Sequence, residues 1–158
     1  MKRTGRFLVL PPRLVLLLLG GAGIAHWALD AQPILRHVLA GALLIVLAVV
    51  LNIWADRVFK AAHTPVRPDE LPLRLVTRGP FAWSRNPMYL GLILLLLGVA
   101  MVVGTVPFWL LPMLLWLLLA RVFVRHEERV LRDQFGEQFD TYCRTMNRWF
   151  GVRRRQPQ

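Results

Sequence analysis

Arg85-Asn86-Pro87-Met88-Tyr89 opens a run that reaches Arg121 without a charge, 35 residues in all. One straight helix of 35 residues would be about 52 Å long, against a bilayer core of roughly 30 Å. Two helices joined by a turn fit better, and Gly104 and Pro107 stand mid-run where a turn is wanted. Such a hairpin brings its two polar feet to one side of a membrane. One foot is the stretch from Leu75 to Tyr89; the other is His126-Glu127-Glu128. Residues far apart in sequence become neighbours there, as a site requires.

The chain has 158 residues, which we read as one domain. It is 56% hydrophobic yet carries 20 Lys and Arg against 9 Asp and Glu. A basic soluble protein would suggest nucleic acid as partner. Here the apolar residues come in long uninterrupted runs, so a membrane with anionic headgroups accounts for both facts, and no nucleic-acid partner is expected. The single cysteine, Cys143, excludes an internal disulfide and reads as a half-buried residue rather than a nucleophile. Arg153-Arg154-Arg155 forms a basic tail.

The expected fold is all-α and integral to the membrane. Four spans are read at about 12–29, 38–55, 88–103 and 107–124, the last two forming the tight hairpin. Pro11 and Pro12 suit a first helical turn, where a missing N–H costs nothing. Lys2-Arg3 before a leucine run also resembles a leader peptide, but three further spans favour an uncleaved first helix. Of the basic residues, four lie at or before Arg13, six between Arg57 and Arg85, and nine from Arg121 onward, with only Arg36 elsewhere. The positive-inside rule therefore puts both termini and the 56–87 loop in the cytoplasm, as in a bacterial inner membrane. After the fourth span, Leu131, Phe135, Phe139, Tyr142, Met146 and Trp149 recur at steps of three and four. This predicts an amphipathic region over 125–150, broken at Gly136, that serves as an interfacial anchor or as a lid over a cytoplasmic pocket.

The 56–87 loop holds His63, Thr64, Pro65, Pro68, Pro72, Gly79 and Pro80, which favours stiff, extended chain over helix. Its backbone groups are available to a ligand such as a nucleoside. Pro87 suits the first turn of the third helix, whose N-terminus attracts an anionic group. Asn86 reads equally well as the cap of that helix. Glu127 and Glu128 are adjacent, so one is expected to point inward, where it would attract a cation, and the other toward water. Arg121 and Arg125 are candidates to hold an anionic group opposite. Charges at a membrane exit are also ordinary, and the residues alone leave both readings open. No Gly-rich phosphate loop occurs, and no His or Cys pattern has metal-ligand spacing. His26 within a span is either functional or close to the outer interface.

The stretch from Leu75-Val76-Thr77-Arg78-Gly79-Pro80-Phe81 through Arg85-Asn86-Pro87-Met88-Tyr89-Leu90-Gly91, with Glu127-Glu128, Phe135-Gly136 and Tyr142, resembles the isoprenylcysteine carboxyl methyltransferase family. Related membrane phospholipid methyltransferases share this half. The resemblance covers about residues 56–150. It implies S-adenosylmethionine as methyl donor at the cytoplasmic face, and a lipophilic acceptor, an isoprenoid or a lipid headgroup, entering from the bilayer. Carried over by position, the donor contacts are Leu75 and Val76 through backbone, Phe81 near the adenine, Asn86, Pro87, Met88, Tyr89 and Glu127. Asn86 stands where many eukaryotic members have His, and Phe81 where the well-known carboxyl methyltransferases have Tyr. Arg121 and Arg125 flank the place of the arginine that binds the acceptor, and are taken as the catalytic candidates. Rival readings are a non-enzymatic membrane scaffold and an NADPH-dependent enzyme similar to sterol reductases.

Overall fold

The computed structural model describes residues 10–64 and 72–151. Lys2, Arg3, Pro65, Pro68 and the Arg153–Arg155 tail, used in the sequence reading, lie outside these residues. Among the described residues the fold is helical, with no strand. Helix α1 spans Pro11–Ala28, α2 Val38–Ala61, α3 Pro87–Val103, α4 Val106–Leu118, α5 Val124–Phe135 and α6 Glu137–Thr145. A 3₁₀ turn, Gly79–Ala82, precedes α3. Helix α2 packs along α3, α3 against α4, and α1 against α4.

The α3–α4 hairpin turns at Gly104 and Thr105. Gly104 ends α3 in the left-handed region (φ +82°), a conformation that favours glycine. The far end of the hairpin is stitched to the α1–α2 connection. Ile34 N–H donates to the Gly104 carbonyl at 2.9 Å, His37 N–H to Met101 at 2.8 Å, and Arg36 Nε to Val102 at 2.9 Å. The one basic residue outside the three clusters thus caps the carbonyl end of α3, where a cation is favoured.

Two expected boundaries differ. Helix α2 does not stop at Ala55 but continues to Ala61. Asp56, Arg57 and Lys60 end an apolar run, but they are compatible with helix, and Lys60 pairs with Asp56 one turn back at 2.6 Å. Nor does the fourth helix end near 124 before a separate amphipathic region. From Val106 to Phe135 it runs unbroken through α4, one π turn at Leu119–Phe123, and α5. These 30 residues reach about 45 Å. The π turn matters for facing. Leu111, Leu115, Leu119 and Phe123 are all buried at steps of four, which on a regular helix would drift steadily around the axis. One wider turn takes up that drift and keeps the row on the core. Gly136 (φ +50°) breaks the chain between α5 and α6 as expected, but Met146 and Trp149 lie beyond the end of α6, Met146 in extended chain and Trp149 in a bend.

Among the described residues, Val38–Ala61 and Val106–Phe135 are long and apolar enough to cross a membrane, and Pro87–Val103 is a shorter apolar helix. The outer faces are covered with exposed Leu16, Leu17, Ile24, Leu39, Leu43, Leu47, Leu110 and Met113. An unbroken apolar exterior of this kind suits hydrocarbon rather than water.

Candidate functional site

The two feet of the hairpin meet at a cavity of about 310 Å³. The 3₁₀ turn and the start of α3 supply one wall. Phe81 is wedged edge-on against Phe59 of α2, with ring centroids 4.9 Å apart. Gly79 (φ +63°) lets the loop lie on α2, where an added Cβ would come within 3.0 Å of Val58 Cγ2. Thr64, itself buried, draws the loop's far end in by accepting from Leu73 N–H at 2.9 Å. Pro87 then begins α3, and Asn86 N–H donates to Ser84 Oγ at 3.0 Å.

The opposite wall is α5. Glu127 lines the cavity and accepts a short hydrogen bond from the Tyr89 hydroxyl, which ties the start of α3 to α5. Glu128 lines it as well. Its carboxylate lies between two guanidiniums, with Arg85 Nη1 at 3.0 Å and the Arg148 fork at 3.0 and 2.5 Å. The expectation that one of the two glutamates faces water is therefore corrected, since the Glu128 side chain is only 13% exposed. Residues 100° apart on a helix can both border a groove that runs along it.

Helix α6 packs beneath. Phe139, Tyr142 and Met146 form a small core with Leu75 and Leu131. The Tyr142 hydroxyl donates to the Phe81 carbonyl at 2.6 Å, which fixes the 3₁₀ turn from below. Burial raises the Tyr142 phenol, against a lowering by Arg85, so the group stays a donor. Burial raises the Cys143 thiol as well, again against Arg85, which keeps it protonated and a poor nucleophile. The hydrogen bond to Glu128 raises Arg148.

Leu75, Val76, Phe81, Asn86, Pro87, Met88, Tyr89 and Glu127, the eight donor-site candidates, all line this one cavity. Asn86 makes no side-chain cap on α3; its Nδ2 donates instead to the Arg148 carbonyl at 3.0 Å. Arg121 and Arg125 are not brought to the cavity. Both are exposed on the other side of the helix, and residues two apart on a helix, such as Arg125 and Glu127, point nearly opposite ways. The well-buried cation at the cavity is Arg85, with its side chain 9% exposed and its Nε buried without an acceptor among the described residues.

Three cavity residues were missed as candidates. Asn52 stood out as the one conventional polar residue in the 38–55 run, a signal for function within a span. Tyr142 was read on the amphipathic stripe and in the motif, but not among the donor contacts carried over from it. Arg85 opens the quoted cluster but was not among the donor contacts carried over.

The cavity's remaining wall is apolar and comes from α1 and α3, through Pro11, Pro12 and Leu92. A polar end meeting an apolar wall suits an amphipathic ligand. No curated protein and no solved structure matches the chain. Residues 36–138 do match a family, described as phospholipid methyltransferase, and this segment runs from Arg36 through α2, the site loop and the α3–α4 hairpin to the start of α6. On a match over most of its length, the chain belongs to the phospholipid methyltransferase family of membrane methyltransferases.

Proposed function

We propose that the protein transfers a methyl group from S-adenosylmethionine to a lipophilic acceptor held in the bilayer, at the cytoplasmic face. The observation that carries this reading is the convergence of eight residues from two distant segments on one cavity with an apolar wall. In this reading α1, α2, α3 and α4 are four spans, and the basic loop and both termini lie in the cytoplasm.

The lining suits the donor in three respects. About 310 Å³ is within the usual range for small-molecule cavities. Phe81 and Phe59, with the backbone at Leu75 and Val76, offer a flat apolar slot for an adenine. Arg85 Nε is a buried N–H without an acceptor among the described residues, which a ligand carboxylate would satisfy. Tyr89 holds the Glu127 carboxyl in orientation, and a sulfonium or ammonium beside it would favour its charged form.

When bound, the donor supplies a methyl group already activated by its positive sulfur. The protein's work is then chiefly to position and to keep water out. Glu127 and the first turn of α3 orient the polar ligand. Pro11, Pro12 and Leu92 admit a hydrocarbon chain and exclude water beside the reacting atoms. Arg121 and Arg125, exposed beyond the apolar part of the helix, are assigned to anionic headgroups at the surface rather than to the reaction.

The test is titration of labelled S-adenosylmethionine into detergent-purified protein. Saturable binding is expected, weakened at least tenfold in Glu127→Ala, since a charge-assisted contact is worth about 1.5–3 kcal/mol. No saturable binding by folded protein would overturn the reading.

A further inference from the structure

The two feet of the site are joined by a third segment, residues 147–151, that does not line the cavity. Four hydrogen bonds lay it against the start of α3. Arg85 N–H donates to the Asn147 carbonyl at 3.1 Å, and Gly151 N–H donates to the Trp83 carbonyl at 2.9 Å. Between them the Arg148 carbonyl accepts from Asn86 Nδ2 at 3.0 Å and from Ser84 Oγ at 3.3 Å. Asn147 N–H closes the turn on the Gly151 carbonyl at 3.0 Å, with Gly151 at φ +95°.

Arg148 faces two ways. Its carbonyl holds the first foot and its guanidinium holds the second, gripping both oxygens of Glu128 on α5. Arg85 reaches Glu128 through one nitrogen at 3.0 Å, and that nitrogen also donates to Cys143 Sγ. The two-pronged grip that fixes the carboxylate's plane is therefore Arg148's. Glu128 is next in sequence to Glu127, so the orientation of this helical turn is shared by the side chain that faces Tyr89.

We propose that Arg148 is a positioning residue of the donor site: by clamping Glu128 while its own main chain carries Asn86, it sets the distance between the two feet that grip S-adenosylmethionine. This rests on the donor reading given above. It makes the segment after α6 a part of the site's frame, although the segment touches no ligand in that reading.

The mechanism distinguishes side chain from backbone. Arg148→Ala removes the fork and keeps the carbonyl that holds Asn86 and Ser84. Arg148→Lys restores a point charge but cannot grip both oxygens in one plane. Labelled S-adenosylmethionine is titrated into purified wild type, Arg148→Ala and Arg148→Lys, with Kd and binding stoichiometry read separately and folding followed by thermal unfolding. The expected result is an unchanged stoichiometry with Kd raised about tenfold in Arg148→Ala, and an intermediate value in Arg148→Lys. A general loss of packing would lower the stoichiometry and leave Kd alone. Wild-type Kd in the variants, or a loss confined to stoichiometry, overturns the proposal. If Arg148→Ala does not fold, Arg148→Lys decides alone, and wild-type affinity there overturns it. Failure of the wild type itself to bind defeats the donor reading, a different outcome from equal binding by all three proteins.

Discussion

The α2–α3 seam and the polar lattice around Glu128 are both tightly held, by opposite means. In the seam, Gly41, Ala48 and Ala55 of α2 are buried at intervals of seven, facing Gly91 and Gly98 of α3 at the same interval. A seven-residue repeat keeps one face of each helix on its partner. A Cβ added at Gly98 would lie 2.8 Å from the Gly41 carbonyl oxygen and 2.7 Å from Ile45 Cγ1. Between helices in lipid the hydrophobic effect gives no drive, so close backbone approach is the means of attraction. At the lattice the segments meet through charge and hydrogen bonds instead. The seam has no room for added volume but little charge to lose; the lattice has space in its cavity but cannot lose a charge.

The largest effect is expected where the lattice loses its central carboxylate. Glu128→Ala leaves Arg85, 9% exposed, and Arg148, 40% exposed, as neighbouring cations without their common partner. Removing one partner of a buried ion pair costs about 3–5 kcal/mol, and the partial exposure of Arg148 puts the cost near about 3 kcal/mol. Chemical unfolding in detergent measures it. A loss below about 1 kcal/mol would mean that the lattice behaves as a surface ion pair and the contrast is wrong.

At the seam, Gly98→Ala should cost about 2 kcal/mol, because the obstructing atoms include the backbone of α2 and cannot simply rotate away. Gly20→Ala in α1 is the matched control, with nothing within 4 Å of the added Cβ. It should be neutral or stabilising by about 0.5–1 kcal/mol through the loss of glycine's unfolded-state entropy. Equal effects at the two positions would show that the helices are not held by close approach. Next in size, Tyr142→Phe removes the hydroxyl that fixes the Phe81 carbonyl at 2.6 Å and should cost about 1 kcal/mol. The same unfolding measurement reads it, and no change would mean that the 3₁₀ turn holds itself.

The α3–α4 hairpin and the first foot were legible in the sequence, for different reasons, while the α2–α3 seam was not. The hairpin was readable because an uncharged run too long for one helix must turn, and Gly104 supplies the positive φ that the turn uses. The first foot was readable as a motif, so its residues could be assigned to one site before their distances were known. The π turn leaves no such trace, since a shifted hydrogen-bond register changes no residue type. At α2 and α5 the helix outlasts the apolar run that marks the expected span, because charges end a span and leave the helix free to continue. Arg121 and Arg125 were carried over because they flank the place of the family's acceptor arginine, a match of position that carries no helical phase; by phase Arg125 lies nearly opposite Glu127. Arg148 was out of reach because its role comes from a carbonyl and a fork acting on segments 62 and 20 residues away.

The smallest effect tests where the lattice ends. Asp56 and Lys60 form a contact of 2.6 Å, among the shortest ion pairs of the described residues, yet their side chains are 33% and 71% exposed. Distance alone would rank this pair with Glu128. Exposure ranks it far below, because water already solvates both charges and ordering a lysine side chain costs entropy. Lys60→Ala should therefore cost less than about 0.5 kcal/mol, part of it from losing a cation near the carbonyl end of α2. The difference from wild type should shrink further in high salt, which screens exposed charges and leaves the dry ones at Glu128 largely untouched. A salt titration of both variants separates the two cases. If Glu128→Ala lost its effect in salt as Lys60→Ala does, the site's frame would be a surface network, and burial would not be what makes its charges matter.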